Sequence, residues 1–177
     1  IAVNIGLATG VTAVIAQAVG RGDRVGAGRI AAAVMGLSLI MGAVPSFIGF
    51  VWGSSIIPLL GAQGESAVLG AEYFQILVMG VSFMFFTGVI RAVLTGEGDA
   101  KTPMIIGMVS AALNCALDPL LIFVVGMGIR GAAVATVISQ LLSLVAFCYV
   151  AFVKRRSYVL FTWSLRSLLP KAQFISP

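Results

Sequence analysis

Histidine is absent from this 177-residue chain, and cysteine occurs only as Cys115 and Cys148, each inside an apolar run. That leaves too few soft ligands for a zinc site and no disulfide framework, so the two thiols read as packed side chains. Charge is also scarce. The 11 basic and 6 acidic residues make up 10% of the chain. The basic residues sit at the ends of apolar runs instead of gathering on one face, which argues against a nucleic-acid partner despite the net charge of +5. Without histidine, and with a single acid away from the run ends, the nucleophile, base or metal cluster of a membrane enzyme is missing too.

What is present is apolar. Hydrophobic residues account for 60%, glycine adds 21 positions and the mean hydropathy is +1.11. Soluble domains reach only about 45–50% apolar with glycine counted. Uncharged stretches cover 1–20, 30–64, 73–90, 102–117 and 131–153. Most lie near or above the ~18–20 residues that cross a bilayer as a helix. The fold class that follows is all-α, a polytopic transmembrane helix bundle. Five spans fit, at about 1–20, 30–54, 71–94, 102–125 and 131–153. Between them lie glycine mixed with charge at 21–29, loops at 61–70 and 95–101, and a tight link at 126–130. Pro103 falls in the first turn of the fourth span, where a missing N–H costs least.

The stretch 30–64 is long enough for two spans, and the distribution of positive charge decides between one and two. A single span puts Arg21, Arg24, Arg29, Arg91, Lys101, Lys154, Arg155, Arg156, Arg166 and Lys171 on one side against the lone Arg130, whereas two spans divide them four against seven. One span is predicted, with Trp52 as an interfacial aromatic near its outer end and 54–60 lying at the membrane surface. The loop holding Arg21 is then cytoplasmic. After Val153 the run Lys154-Arg155-Arg156 stops transfer, and 158–169 is expected to form a cytoplasmic interfacial connector. The chain opens on Ile1 without a charged leader and so reads as a fragment. An odd number of spans, most economically one, is expected upstream, and more protein after the connector.

Asp23, Glu65, Glu72, Glu97 and Asp99 occupy loops or span ends, but Asp118 has sixteen uncharged residues before it and eleven after it. A carboxylate at membrane depth costs a few kcal/mol and is by default a functional-site hypothesis. Asn114 lies four residues earlier on the same helical face. Pro119 follows directly and leaves the carbonyl of Cys115 without its usual helical donor. An acid, an amide oxygen and a free carbonyl in an interrupted transmembrane helix suit Na⁺ or a proton. The fifth span offers Thr136, Ser139 and Gln140 as accessory oxygens. At ~1.5 Å per residue, Asp118 lies roughly 12 Å from the outer surface, and Thr136 and Ser139 roughly 8 and 12 Å below it. Set against this, a buried acid also serves simply to bond helix to helix, and span hydroxyls usually bond back to their own helix.

Other patterns carry less. Gly6 with Gly10, and Ala16 with Gly20, form small-residue faces whose ordinary meaning is close helix packing. The patch Phe83, Met84, Phe85 and Phe86 fits lipid-facing or packing roles better than an adaptable pocket.

The stretch Gly96-Glu-Gly-Asp-Ala-Lys-Thr-Pro103, then Leu113-Asn-Cys-Ala-Leu-Asp-Pro-Leu-Leu-Ile-Phe123 and Gly131-Ala-Ala-Val-Ala-Thr-Val-Ile-Ser-Gln140, resembles the multidrug and toxic compound extrusion (MATE) transporters. Ala16-Gln17-Ala18-Val19-Gly20 followed by Gly22-Asp23 is similar to the end of that family's second helix. The resemblance runs over about 1–153. It implies twelve helices in two lobes, with this chain supplying helices two to six of the first lobe and 154–177 the connector, while the first helix and the second lobe lie outside it. It also implies antiport in a prokaryotic cytoplasmic membrane, where influx of H⁺ or Na⁺ drives export of cationic or other amphiphilic small molecules with no cofactor besides the coupling ion. In one branch of the family the first-lobe cation site uses an Asp on the first helix, an Asn and an Asp on the fifth and a Thr on the sixth. Asn114, Asp118 and Thr136 fall at matching positions, while the first-helix Asp has no counterpart in this chain and the site is expected to be incomplete without it. A proton and Na⁺ then compete for one carboxylate. Two rivals remain. A lipid-linked oligosaccharide flippase of related architecture would need buried basic residues for phosphate, for which Arg91 is the sole candidate. A structural membrane subunit would leave Asp118 unexplained.

Overall fold

The computed structural model describes residues 2–59, 61 and 63–153. The predicted connector at 158–169, the stop-transfer run and the basic residues beyond Val153 lie outside them. Among the described residues, five helices are long and apolar enough to cross a membrane. They are α1 (Ala2–Gly20), α2 (Arg24–Leu59), α3 (Glu65–Gly96), α4 (Lys101–Pro119) continued by a π-helical turn (Leu120–Val124), and α5 (Ile129–Cys148) continued by a second π turn (Tyr149–Val153).

The helices run farther than hydropathy predicts. α2 begins at Arg24 instead of 30 because Asp23 caps it, its Oδ1 accepting the N–H of Gly26 at 2.7 Å. A Cβ at Gly26 would meet the Asp23 carboxylate at 2.1 Å, so a larger residue there would displace the capping side chain. At the far end α2 does not leave the bundle to lie along the surface at 54–60. It continues to Leu59, and Ile57 packs over Gly70 of α3, whose helix starts at Glu65 inside the predicted loop. At ~1.5 Å per residue α2 spans about 54 Å, well beyond the ~30 Å hydrocarbon layer.

One turn is used twice. Gly20-Arg21-Gly22-Asp23 and Gly96-Glu97-Gly98-Asp99 both end a helix on a left-handed glycine (Gly22, φ 76°; Gly98, φ 95°). In each, the aspartate N–H reaches back to a carbonyl of the last helical turn, Asp23 to Ala18 and Asp99 to Leu94. Each aspartate then caps the next helix, Asp99 Oδ1 accepting from the Thr102 N–H at 3.0 Å. The opposite ends repeat as well, with Gly64 (φ 59°, ψ −138°) before α3 and Gly128 (φ 57°, ψ −138°) before α5.

α3 is the central helix. α2 lies antiparallel to it, with Gly42 over Ser82, Gly49 over Val78 and Gly53 over Phe74. Ser46 Oγ donates to Val78 O at 2.7 Å within the same seam. α1 runs parallel to α3, Asn4 reaching Met84 O and Thr12 reaching Ala92 O. α5 is also parallel to α3, and α4 packs antiparallel on α5 through Ser110 Oγ to Ser139 O at 3.1 Å. The tight seam is therefore on α2. Gly6, Gly10 and Gly20 of α1 have no neighbour within 4 Å of an added Cβ, so the small-residue face expected to pack is open among the described residues. The core of Ile15, Ala31, Met35, Ile90, Val93, Leu94 and Phe147 sits toward the Gly-Asp turns, while Phe47, Met108 and Phe123 project outward as side chains of lipid-embedded helices do.

Candidate functional site

α3 and α4 make little direct contact, and the space between them, lined also by α5 and the start of α1, is a cavity of about 340 Å³. Met84, Thr87, Gly88 and Arg91 line it from α3. Ser110 and Asn114 face it from α4, Thr136, Ser139, Gln140 and Ser143 from α5, and Asn4 from α1. The α3 and α5 sets follow the same i, i+3, i+4, i+7 pattern and the α4 pair is four apart, so one stripe of each of these helices turns inward. Gly88 makes room for α1, since a Cβ there would meet Asn4 Oδ1 at 2.9 Å.

The cavity concentrates polar atoms that the bundle leaves unsatisfied. Thr87 Oγ1, Asn114 Nδ2, Ser139 Oγ and Gln140 Oε1 are all buried without a hydrogen-bond partner among the described residues. Such atoms cost about 1–3 kcal/mol each when left unpaired in an apolar setting. Thr136 is different. Its hydroxyl donates to Ala132 O at 3.0 Å on its own helix, the ordinary behaviour of a span threonine, although it too lines the cavity.

Asn114, Thr136, Ser139 and Gln140 are thus brought together, whereas Asp118 and Cys115 are not among the lining residues. Asp118 follows Asn114 by one turn on the same face, and its Oδ1 is buried without a partner among the described residues. Cys115 is exposed, because one residue past Asn114 lies about 100° around the helix. Only its carbonyl is placed by the argument from Pro119. After Pro119 the helix widens. The Leu120 N–H turns to Leu117 O, and the Val125 N–H reaches Leu120 O at 2.9 Å, five residues back.

Several polar cavity residues escaped the sequence reading as site members. Asn4 was legible only as a polar residue in an apolar run, Thr87, Ser110 and Ser143 as span hydroxyls, and Arg91 as a topology signal and the flippase rival's candidate for phosphate. The aromatic patch divides. Met84 faces the cavity, Phe85 is buried against Gly42, and Phe86 joins the core. At the opposite end, away from the Gly-Asp turns, Arg130 of α5 is ion-paired with Glu72 of α3.

The MatE family model matches residues 1–120. The probable multidrug resistance protein NorM of Thermotoga maritima is 32% identical over 162 residues, covering 89% of this chain and 35% of that protein. The FAD transporter of Shewanella oneidensis is 30% identical over 158 residues, covering 87% of this chain and 35% of that protein. A solved structure, described as the inward-facing conformation of a multidrug resistance MATE family transporter of the MOP superfamily, superposes with a TM-score of 0.86 at 34% identity, covering 95% of this chain and 38% of that one. The chain spans about a third of the length of these curated relatives.

Proposed function

Since the chain belongs to the MatE family and is a multi-pass membrane protein, we propose that it works within a secondary active transporter. In this reading, influx of H⁺ or Na⁺ drives export of amphiphilic small molecules across a prokaryotic cytoplasmic membrane. The five spans are helices two to six of the first of two lobes, and 154–177 leads toward the second. The relatives' names, multidrug resistance protein and FAD transporter, support small organic cargo.

The observation that carries this reading is the convergence on one cavity of four polar atoms without partners among the described residues, with Asp118 one helical turn beyond Asn114. Asp118, Asn114 and Thr136 bind the coupling ion, with Ser139, Gln140 and the Cys115 carbonyl as accessory oxygens. The widened turn after Pro119 lets backbone carbonyls take part, as interrupted helices do in other transporters. A carboxylate without a partner is costly at this depth, and a proton or Na⁺ removes that cost. The ion-loaded and ion-free states then favour different lobe conformations, which couples ion influx to cargo release.

The test is Asp118→Asn in the full-length protein, reconstituted in vesicles and assayed for gradient-driven efflux of ethidium and fluorescein at matched protein level. Asn keeps the volume but neither ionises nor carries the coupling proton, so export should collapse while expression persists. Transport at the unmodified rate under a gradient would make Asp118 structural and remove the coupling site from this lobe.

A further inference from the structure

Arg91 stands five residues before the end of α3, roughly 7.5 Å short of its terminus at ~1.5 Å per residue. It lines the 340 Å³ cavity and also a second one of about 310 Å³ between α1 and α3, and the two spaces adjoin along Asn4, Gly88 and Arg91. Thr87, one turn earlier on the same face, presents a buried hydroxyl with no partner among the described residues. Among the described residues lining either space, Arg91 is the only charged one, and no carboxylate faces it. The ion pair of Glu72 with Arg130 lies toward the other end of α3.

We propose that Arg91, assisted by Thr87, recognises an oxyanion, a carboxylate or phosphate, on the amphiphile that enters this cavity. The proposal rests on the transport reading above and narrows its cargo away from the simple organic cations that the family resemblance implies. A guanidinium offers forked donors to an oxyanion, and bonds of this kind are about twice as strong as neutral ones. An organic cation in the same space meets a like charge, with no acid among the described lining residues and Asp118 one helical turn beyond them. The apolar floor made by Met84 and Phe147 suits the remainder of an amphiphile.

The experiment measures equilibrium binding by fluorescence anisotropy to the purified full-length protein in nanodiscs, with no ion gradient. Fluorescein and rhodamine 123 share a xanthene ring system but carry opposite charge. The expected result is that Arg91→Gln lowers the ratio of fluorescein to rhodamine 123 affinity by roughly 10- to 100-fold, the range for a lost charged hydrogen bond. Arg91→Glu should lower the ratio further, and Arg91→Lys should retain most of it. An unchanged ratio, or parallel loss of both probes, overturns the proposal. If the Gln and Glu variants do not fold, salt titration of the unmodified protein decides. Fluorescein binding should weaken with ionic strength relative to rhodamine 123, and identical salt dependence for the two probes refutes the proposal. Nanodiscs of phosphatidylcholine alone, compared with discs containing phosphatidylglycerol, identify the source of the oxyanion. Displacement of fluorescein by phosphatidylglycerol assigns the site to a lipid headgroup, and indifference assigns it to soluble cargo, both supporting an oxyanion site. Because no gradient is applied, failure of Asp118→Asn to abolish transport would leave this result standing, and the converse also holds.

Discussion

Gly42 of α2 lies so close to Ser82 of α3 that a Cβ on the glycine would come within 2.8 Å of the serine Cα. Gly49 repeats the relationship one interface layer on, where a Cβ would meet Val78 Cγ1 at 2.6 Å. In a bilayer no hydrophobic force distinguishes protein from lipid, so this backbone approach and the Ser46 hydrogen bond within it hold α2 to α3.

Gly42→Val should therefore force the helices apart and destabilise the lobe by about 1–3 kcal/mol, as overpacking does. Gly36→Ala is the control, because nothing lies within 4 Å of its added Cβ. Thermal melting in detergent reads both. Equal melting of the two variants would show that the α2–α3 seam does not bear on stability.

The unpartnered hydroxyl of Ser139 predicts a separation of stability from activity. Ser139→Ala removes a buried polar atom that has no partner among the described residues, so melting temperature should hold or rise, by up to the ~1–3 kcal/mol such an atom costs. Gradient-driven export should fall, because the oxygen is kept for a ligand. A clear drop in melting temperature would identify the hydroxyl as structural.

Asn114→Ala should impair export less than Asp118→Asn. The first change removes a neutral ligand, whereas the second removes the charge, and charge-assisted bonds are about twice as strong. Efflux from vesicles at matched protein level gives the order directly. Asn114→Ala matching or exceeding the defect of Asp118→Asn would contradict it.

The positive-charge distribution predicts that both Gly-Asp turns face the cytoplasm. In a background free of Cys115 and Cys148, a cysteine placed at Gly98 should resist an impermeant thiol reagent in intact cells and react in inverted vesicles. The left-handed φ of 95° makes serine a needed folding control at the same position. Labelling from outside would reverse the topology.

The sequence by itself determined the number of spans, the choice of one span over two in 30–64, and the isolation of Asp118, while the surface segment expected at 54–60 proved to be helix through Leu59. These follow from charge being too costly in lipid and from basic residues marking one side. It also held the helix caps at Asp23 and Asp99, although charge near glycine read as loop and hid where α2 and α3 begin. Tertiary structure alone decided which faces meet. Lipid and protein interior are equally apolar, so hydropathy carries no signal to tell the open glycine face of α1 from the packed glycine seam of α2. For the same reason the sequence places Asn114, Asp118 and Thr136 at similar depth without showing what else shares their space. It took the packing of α1, α3, α4 and α5 to bring Asn4, Thr87 and Arg91 into that cavity, turn the Cys115 thiol away, and set Asp118 beyond its lining.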